Sequence, residues 1–158
     1  VTVHSNPKLV IFKDELLDKI TQHDTTYQLL DARPPIFYQG QVKAPTASTS
    51  GTIASAQNIP FGQWFNSNDT RLRPVAEIKQ LVAEQGLAQA QETVSFCNTG
   101  HWAATNWFVL SELAGLQDVR LYPASLAEWT QAQEGLPMEN TPSRFEQIKS
   151  KLSQLVKN

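Results

Sequence analysis

Short apolar blocks alternate with polar ones along the chain, and their spacing predicts strands and helices taking turns. Leu9–Phe12 is a brief apolar run, and from Lys13 to Ile20 the residues Leu16, Leu17 and Ile20 recur at helical spacing. Tyr27–Leu30 reads as a short buried strand ending at Asp31, with Pro34-Pro35 stopping it. Gln39 to Ser50 is polar and rich in turn residues, hence an exposed loop. Ile53–Ile59 is expected to hold another strand, closed by Pro60. Pro74–Gln85 is the clearest helix: Pro74 suits the first helical position, Val75, Ile78, Leu81 and Val82 share a face, and Gly86 suits the stop. Thr93–Phe96 is β-branched and aromatic, a strand leading into Cys97. A second helix is expected from Trp102 to Ala114, so apolar that it should be well buried, with Gly115 ending it. Val119–Tyr122 predicts one more strand, and Ser125–Thr130 a short helix capped by Ser125.

Strands separated by helices imply an α/β fold with a mostly parallel central sheet flanked by helices on both faces. Such sheets bind ligands at the carboxyl ends of their strands. Asp31 and Cys97 stand at two such ends. From Ser143 onward, Phe145, Ile148, Leu152, Leu155 and Val156 recur at helical spacing among basic residues. The expected organisation is one domain over 1–142, with an amphipathic helix over 143–158 packed on it.

The 158 residues suffice for one ordinary core, and a net charge of −2 gives no reason to expect nucleic acid or an anionic membrane as partner. No apolar run is long enough to span a bilayer, and Val1–Ser5 lacks the basic start and apolar stretch of a secretory leader. A single cysteine excludes an internal disulfide and any multi-cysteine metal or iron–sulfur site, so no metal and no cofactor are expected. One free thiol suits cytoplasm or bacterial periplasm equally.

The chemistry concentrates where a strand gives way to Cys97-Asn98-Thr99-Gly100-His101-Trp102-Ala103 and then a helix. A sulfur there can face a ring of backbone N–H groups and the positive end of a helix dipole, which together favour a thiolate. Gly100 lets the loop curl tightly. His101 adds charge when protonated or serves as a neutral hydrogen-bonding group. The plainer alternative is a cysteine acting as a small buried hydrophobe. A phosphatase loop would need an arginine six residues after the thiol, where Ala103 stands, and a cysteine protease would need a separate histidine base. Asp31 and Arg33 are expected to pair with each other or with this loop. Trp102 is a candidate wall of the pocket, and Trp64, Trp107 and Trp129 are candidates for packing. Arg71 and Arg73 read as solvated charge or as anion contacts.

Five stretches, taken in order, resemble the rhodanese family of sulfurtransferases. They are Leu29-Leu30-Asp31-Ala32-Arg33, Phe37-Tyr38-Gln39-Gly40, Gly51 through Pro60, Val94 through Ala104, and Leu121 through Trp129. The layout is similar to the second, catalytic half of a two-domain bacterial sulfurtransferase. The resemblance implies a rhodanese-like fold and a Cys97 persulfide, with small-molecule sulfur donor and acceptor as partners. It also implies a preceding rhodanese domain. The donor would be thiosulfate-like or mercaptopyruvate-like, and the acceptor cyanide or a thiol. The N–H groups from Asn98 to Ala103 would hold the persulfide, with Asp31 and Arg33 in support. The sequence departs from the thiosulfate-type pattern at Phe37 and Thr99, where that pattern carries cations, and at Thr52, Ser55 and Ala124. Those departures motivate an alternative, a non-catalytic binding or sulfur-carrier module.

Overall fold

Leu29 and Leu30 are neighbours in one strand and point into different cores, one on each side of a parallel sheet. The computed structural model describes residues 6–143. The elements follow as α1 (Lys13–Thr21), β1 (Tyr27–Asp31), α2 (Pro35–Tyr38), β2 (Thr52–Ile53), β3 (Gln57–Asn58), α3 (Val75–Glu84), β4 (Glu92–Phe96), α4 (His101–Phe108), β5 (Val119–Leu121), α5 (Ser125–Trp129) and β6 (Met138–Glu139). The main sheet runs β3-β1-β4-β5, every pair parallel, with Asp31 level with Phe96 and with Asn58. Val10 bridges to Leu121 and continues the sheet past β5. β2 and β6 form a small antiparallel pair beside it.

The first core joins Leu16 of α1, Leu29, Val94 and Phe96 of the sheet, and Leu126 and Trp129 of α5. The second joins Leu30 to Trp64, Ile78 and Val82 of α3, and Val109 and Leu110 beyond α4. Each buried aliphatic side chain contributes about 1.5–3 kcal/mol of transfer free energy, so helices on both faces lock the central strands in register. The α/β architecture expected from the alternating pattern is therefore the observed one.

Four local expectations differ. Ile53–Ile59 is not one strand: Ser55 takes a left-handed backbone (φ 66°), splitting it into β2 and β3, which join different sheets. α4 begins one residue earlier, at His101, and from Val109 to Ala114 widens into π-helical turns. Val109 and Leu110 in these turns are completely buried, and Phe108 just before them is 43% exposed. Ser125 does not cap α5; Ala124 occupies the cap position, and Ser125 opens the helix at φ 53°. The loop after Gln39 is largely exposed but anchored. Ala44 and Ala47 are buried, and the Ser48 N–H donates to Thr130 Oγ1 at 2.9 Å. The helix expected over 143–158 lies outside the described residues, save for Ser143.

Candidate active site

β4 delivers Cys97 to the carboxyl end of the sheet, between the two cores. The chain must then reverse into α4, and Gly100 makes this possible with φ 89°. A Cβ at Gly100 would sit 2.7 Å from the Pro123 carbonyl oxygen, so both backbone angle and space demand glycine. The turn brings the Gly100 N–H to 3.1 Å from Cys97 Sγ, where it donates a hydrogen bond. Helix geometry leaves the amides of His101, Trp102 and Ala103 without intrahelical acceptors at the same end of α4. Cys97 is 1% exposed and packs against Ala32 and Ala103, with Phe61, Trp102 and Leu121 around them. It is thus enclosed by hydrocarbon on its flanks and met by an amide donor.

The loop is held from below by α5. Leu126 N–H donates to the Cys97 carbonyl at 3.1 Å, and Ala127 N–H to the Asn98 carbonyl at 3.0 Å. The Cys97 N–H donates to Ser125 Oγ at 3.0 Å, and that hydroxyl donates to the Tyr122 carbonyl at 2.8 Å. Ser125 is completely buried. Tyr122 hydroxyl donates to Glu128 Oε2 at 2.6 Å. Burial, reinforced by that carboxylate, pushes the Tyr122 hydroxyl far above its ordinary range, so it stays a neutral donor and steadies the start of α5. The Cys97 and Asn98 carbonyls are therefore tied to α5, while the Gly100 amide meets the sulfur.

Asp31 and Arg33 pair with each other and also reach the loop. Arg33 Nε donates to both Asp31 oxygens at 2.9 and 3.1 Å, and Nη2 to Oδ2 at 2.6 Å. Nη2 also donates to the Gly51 carbonyl at 2.6 Å, and Nη1 reaches Asn98 Oδ1 at 3.4 Å. Thr52 Oγ1 donates to Asp31 Oδ2 at 2.8 Å. Asn58 Nδ2 donates to the carbonyls of Asp31 and Arg33 at 3.0 and 2.8 Å. The pair is buried on both sides, and its remaining donors and acceptors are satisfied, which is the condition under which a buried ion pair is tolerated.

Thr99 and His101 lie on the exposed rim, with Thr99 Oγ1 3.3 Å from His101 Nδ1. Trp102 stacks on Phe61, ring centroids 5.1 Å apart, and meets Phe37 edge-on at 6.0 Å. Trp64 and Trp129 are buried packing residues, and Trp107 is partly buried. Arg71 is bound to Asp69, and Arg73 to the Gln63 carbonyl and Glu77; none of these partners belongs to the loop. Sequence reasoning missed Ser125 as the acceptor for Cys97 N–H, because a serine opening a short helix reads as a cap. It also missed Phe61, which carries no chemical signal of its own.

A lone thiol at the end of a central parallel strand, followed by a glycine turn and the amide end of a helix, defines an α/β domain with its cysteine on a strand-to-helix loop. The chain belongs to the rhodanese-like domain family, whose profile matches residues 12–132. A relative from Saccharopolyspora erythraea, named "Putative thiosulfate sulfurtransferase", is 33% identical over 135 residues, covering 82% of this chain and 46% of the relative. A solved structure titled "Crystal Structure of Probable Thiosulfate Sulfurtransferase" superposes with a TM-score of 0.65 at 28% identity, covering 88% of this chain and 51% of that one. The Tum1 protein from Saccharomyces cerevisiae shares the fold, with a TM-score of 0.69 at 24% identity over 85% of this chain and 48% of that one. The chain spans about half the length of the curated relatives it matches.

Proposed function

We propose that the domain is a sulfurtransferase in which Cys97 carries sulfane sulfur between a donor and a thiophilic acceptor. The Cys97 thiolate attacks the outer sulfur of the donor. The donor's S–S bond breaks, and its electron pair departs with the remainder of the donor, sulfite in the case of thiosulfate. Cys97 is left as a persulfide anion. An acceptor such as cyanide or a thiolate then takes the outer sulfur, and the Cys97 thiolate is regenerated. Electrons balance across the two steps with no metal, oxidant or reductant, and covalent catalysis divides one difficult transfer into two easier ones.

The observation that carries this reading is the 3.1 Å hydrogen bond from Gly100 N–H to Sγ, at a loop whose Cys97 and Asn98 carbonyls are tied back to α5. Amides arranged in advance stabilise negative charge without reorganising during the reaction. Asn98, Thr99, His101, Trp102 and Ala103 complete the loop around the persulfide, and Asp31 and Arg33 steady it through Asn98. The names of the relatives agree with sulfur transfer as the activity.

Intact mass spectrometry after incubation with a sulfane donor tests it. An increase of about 32 Da on Cys97, reversed by cyanide and missing in Cys97→Ser, is expected. A protein that gains no mass with any sulfane donor overturns the reading. The carrier-module alternative has its own signature: Cys97 loads once, and no turnover follows when acceptor is supplied in excess.

A further inference from the structure

Aromatic rings and unpaired charge are distributed very unevenly around Cys97. Phe61 and Trp102 pack on the cluster formed by Ala32, Cys97 and Ala103. Trp102 lies 6° from parallel with Phe61 and meets Phe37 at 63°. All three rings are only partly buried, so each keeps surface open to an incoming molecule. The cation tied to the loop, Arg33, offers nothing comparable. It is 1% exposed, and its donors are taken by Asp31, the Gly51 carbonyl and Asn98. Its guanidinium carbon lies 5.9 Å from the Phe37 ring centre, so the approach from that side is covered by a ring. The cations of nearby stretches are occupied elsewhere: Lys43 by the Ala47 carbonyl, Arg71 by Asp69, and Arg73 by Gln63 and Glu77.

A small inorganic dianion arriving at this sulfur must shed water and receives peptide dipoles and the rim imidazole of His101 in exchange, with no lysine or arginine among the described residues left to pair with it at the loop. A donor that carries one negative charge on its sulfur end and an aromatic or bulky apolar body gains contact with the three rings as well. We propose that the site selects singly charged organic sulfane donors with such a body over inorganic thiosulfate, and that Phe37, Phe61 and Trp102 determine this selectivity. The proposal rests on the sulfurtransferase reading and names its donor class.

For an aryl thiosulfonate the step balances as follows. The Cys97 thiolate attacks the terminal sulfur, the bond between that sulfur and the sulfonyl sulfur breaks, and the electron pair leaves on the aryl sulfinate. Cys97 keeps the transferred sulfur as a persulfide anion. Two negative charges enter and two leave.

Timed quenching and intact mass give the rate of Cys97 loading from benzenethiosulfonate, methanethiosulfonate and thiosulfate. Each rate is divided by the donor's rate with glutathione to remove intrinsic reactivity. The first two donors share a reactive group and a charge and differ only in the body, so their ratio reads the rings alone. A normalised preference for the benzene compound of about tenfold or more is expected, the scale at which an apolar pocket discriminates. Thiosulfate should load more slowly still. Phe37→Ala and Phe61→Ala should each compress the benzene-to-methane ratio, and Phe37→Leu, which keeps apolar bulk and guards against misfolding, should compress it less. Equal normalised rates for the three donors overturn the proposed selectivity and leave sulfur transfer intact. A ratio unmoved by both alanine variants overturns the role of the rings. Absence of loading with every donor overturns sulfur transfer itself, and this proposal with it.

Discussion

Replacing Gly100 by alanine perturbs the loop with the smallest possible change. Two costs follow from the geometry. A residue with a Cβ held at φ 89° loses about 1–2 kcal/mol relative to its preferred backbone. The added carbon would lie 2.7 Å from the Pro123 oxygen and 3.3 Å from Pro123 Cα, and such overpacking costs about 1–3 kcal/mol. Pro123 is backbone at the entrance to α5, so it cannot swing aside as the end of a flexible side chain would. The sum, about 2–5 kcal/mol, is a large share of the roughly 5–15 kcal/mol available to a domain of this size. Urea denaturation should therefore show a midpoint lowered by about 1–2 M with the slope unchanged. Gly62→Ala is the control, because nothing lies within 4 Å of a Cβ there. The variant that remains folded should also load sulfur more slowly, by about a hundredfold if the Gly100 amide moves by about 1 Å. A Gly100→Ala protein as stable and as fast as wild type would refute both the crowding argument and the importance of that amide.

Ser125→Ala leaves the buried Cys97 N–H without its acceptor, so a loss of about 1–3 kcal/mol is expected in urea, together with faster hydrogen exchange at the Cys97 amide. Arg33→Met strands the Asp31 carboxylate in the interior and should cost about 3–5 kcal/mol; the double variant Asp31→Asn/Arg33→Met should cost less than the two single variants added together. The hydrogen bond from Arg120 holds the Glu15 carboxyl below its ordinary value of 4.5. Since the folded state depresses this group, its contribution is present above about pH 4.5 and is lost as pH falls through the folded value. Glu15→Gln should flatten that part of the acid limb in a stability-against-pH titration, and an unchanged limb would show that the pair carries no linkage.

The alternation of strand and helix was legible because the sheet is parallel and buried on both faces. Such strands read as short stretches of apolar, β-branched and aromatic residues, as Leu29-Leu30 and Thr93 to Phe96 do. Cys97 and its loop were legible because a strand, a cysteine, a glycine and a helix follow one another without interruption. What escaped notice depends on contacts between distant segments. Ser125 takes its role from a strand end 28 residues earlier. The split between β2 and β3 turns on a left-handed serine, a conformation that the residue type does not advertise. Asp31 and Arg33 were recognised as partners, yet of the residues that complete their bonding Gly51 and Thr52 lie just before the segment misread as one strand and Asn58 lies within it. The wide turns after α4 likewise have no signature in the spacing of Val109 to Leu113, which fits an ordinary helix equally well.

Main-chain groups do most of the holding at this site: the Gly100 amide on the sulfur, and the Leu126 and Ala127 amides on the loop carbonyls. Such a framework is indifferent to the identity of most side chains that hang from it. Thr99 and His101 can be exchanged for residues of another size or charge while the sulfur keeps its address. Changing what meets that sulfur, without moving it, is thus a matter of redecorating the rim.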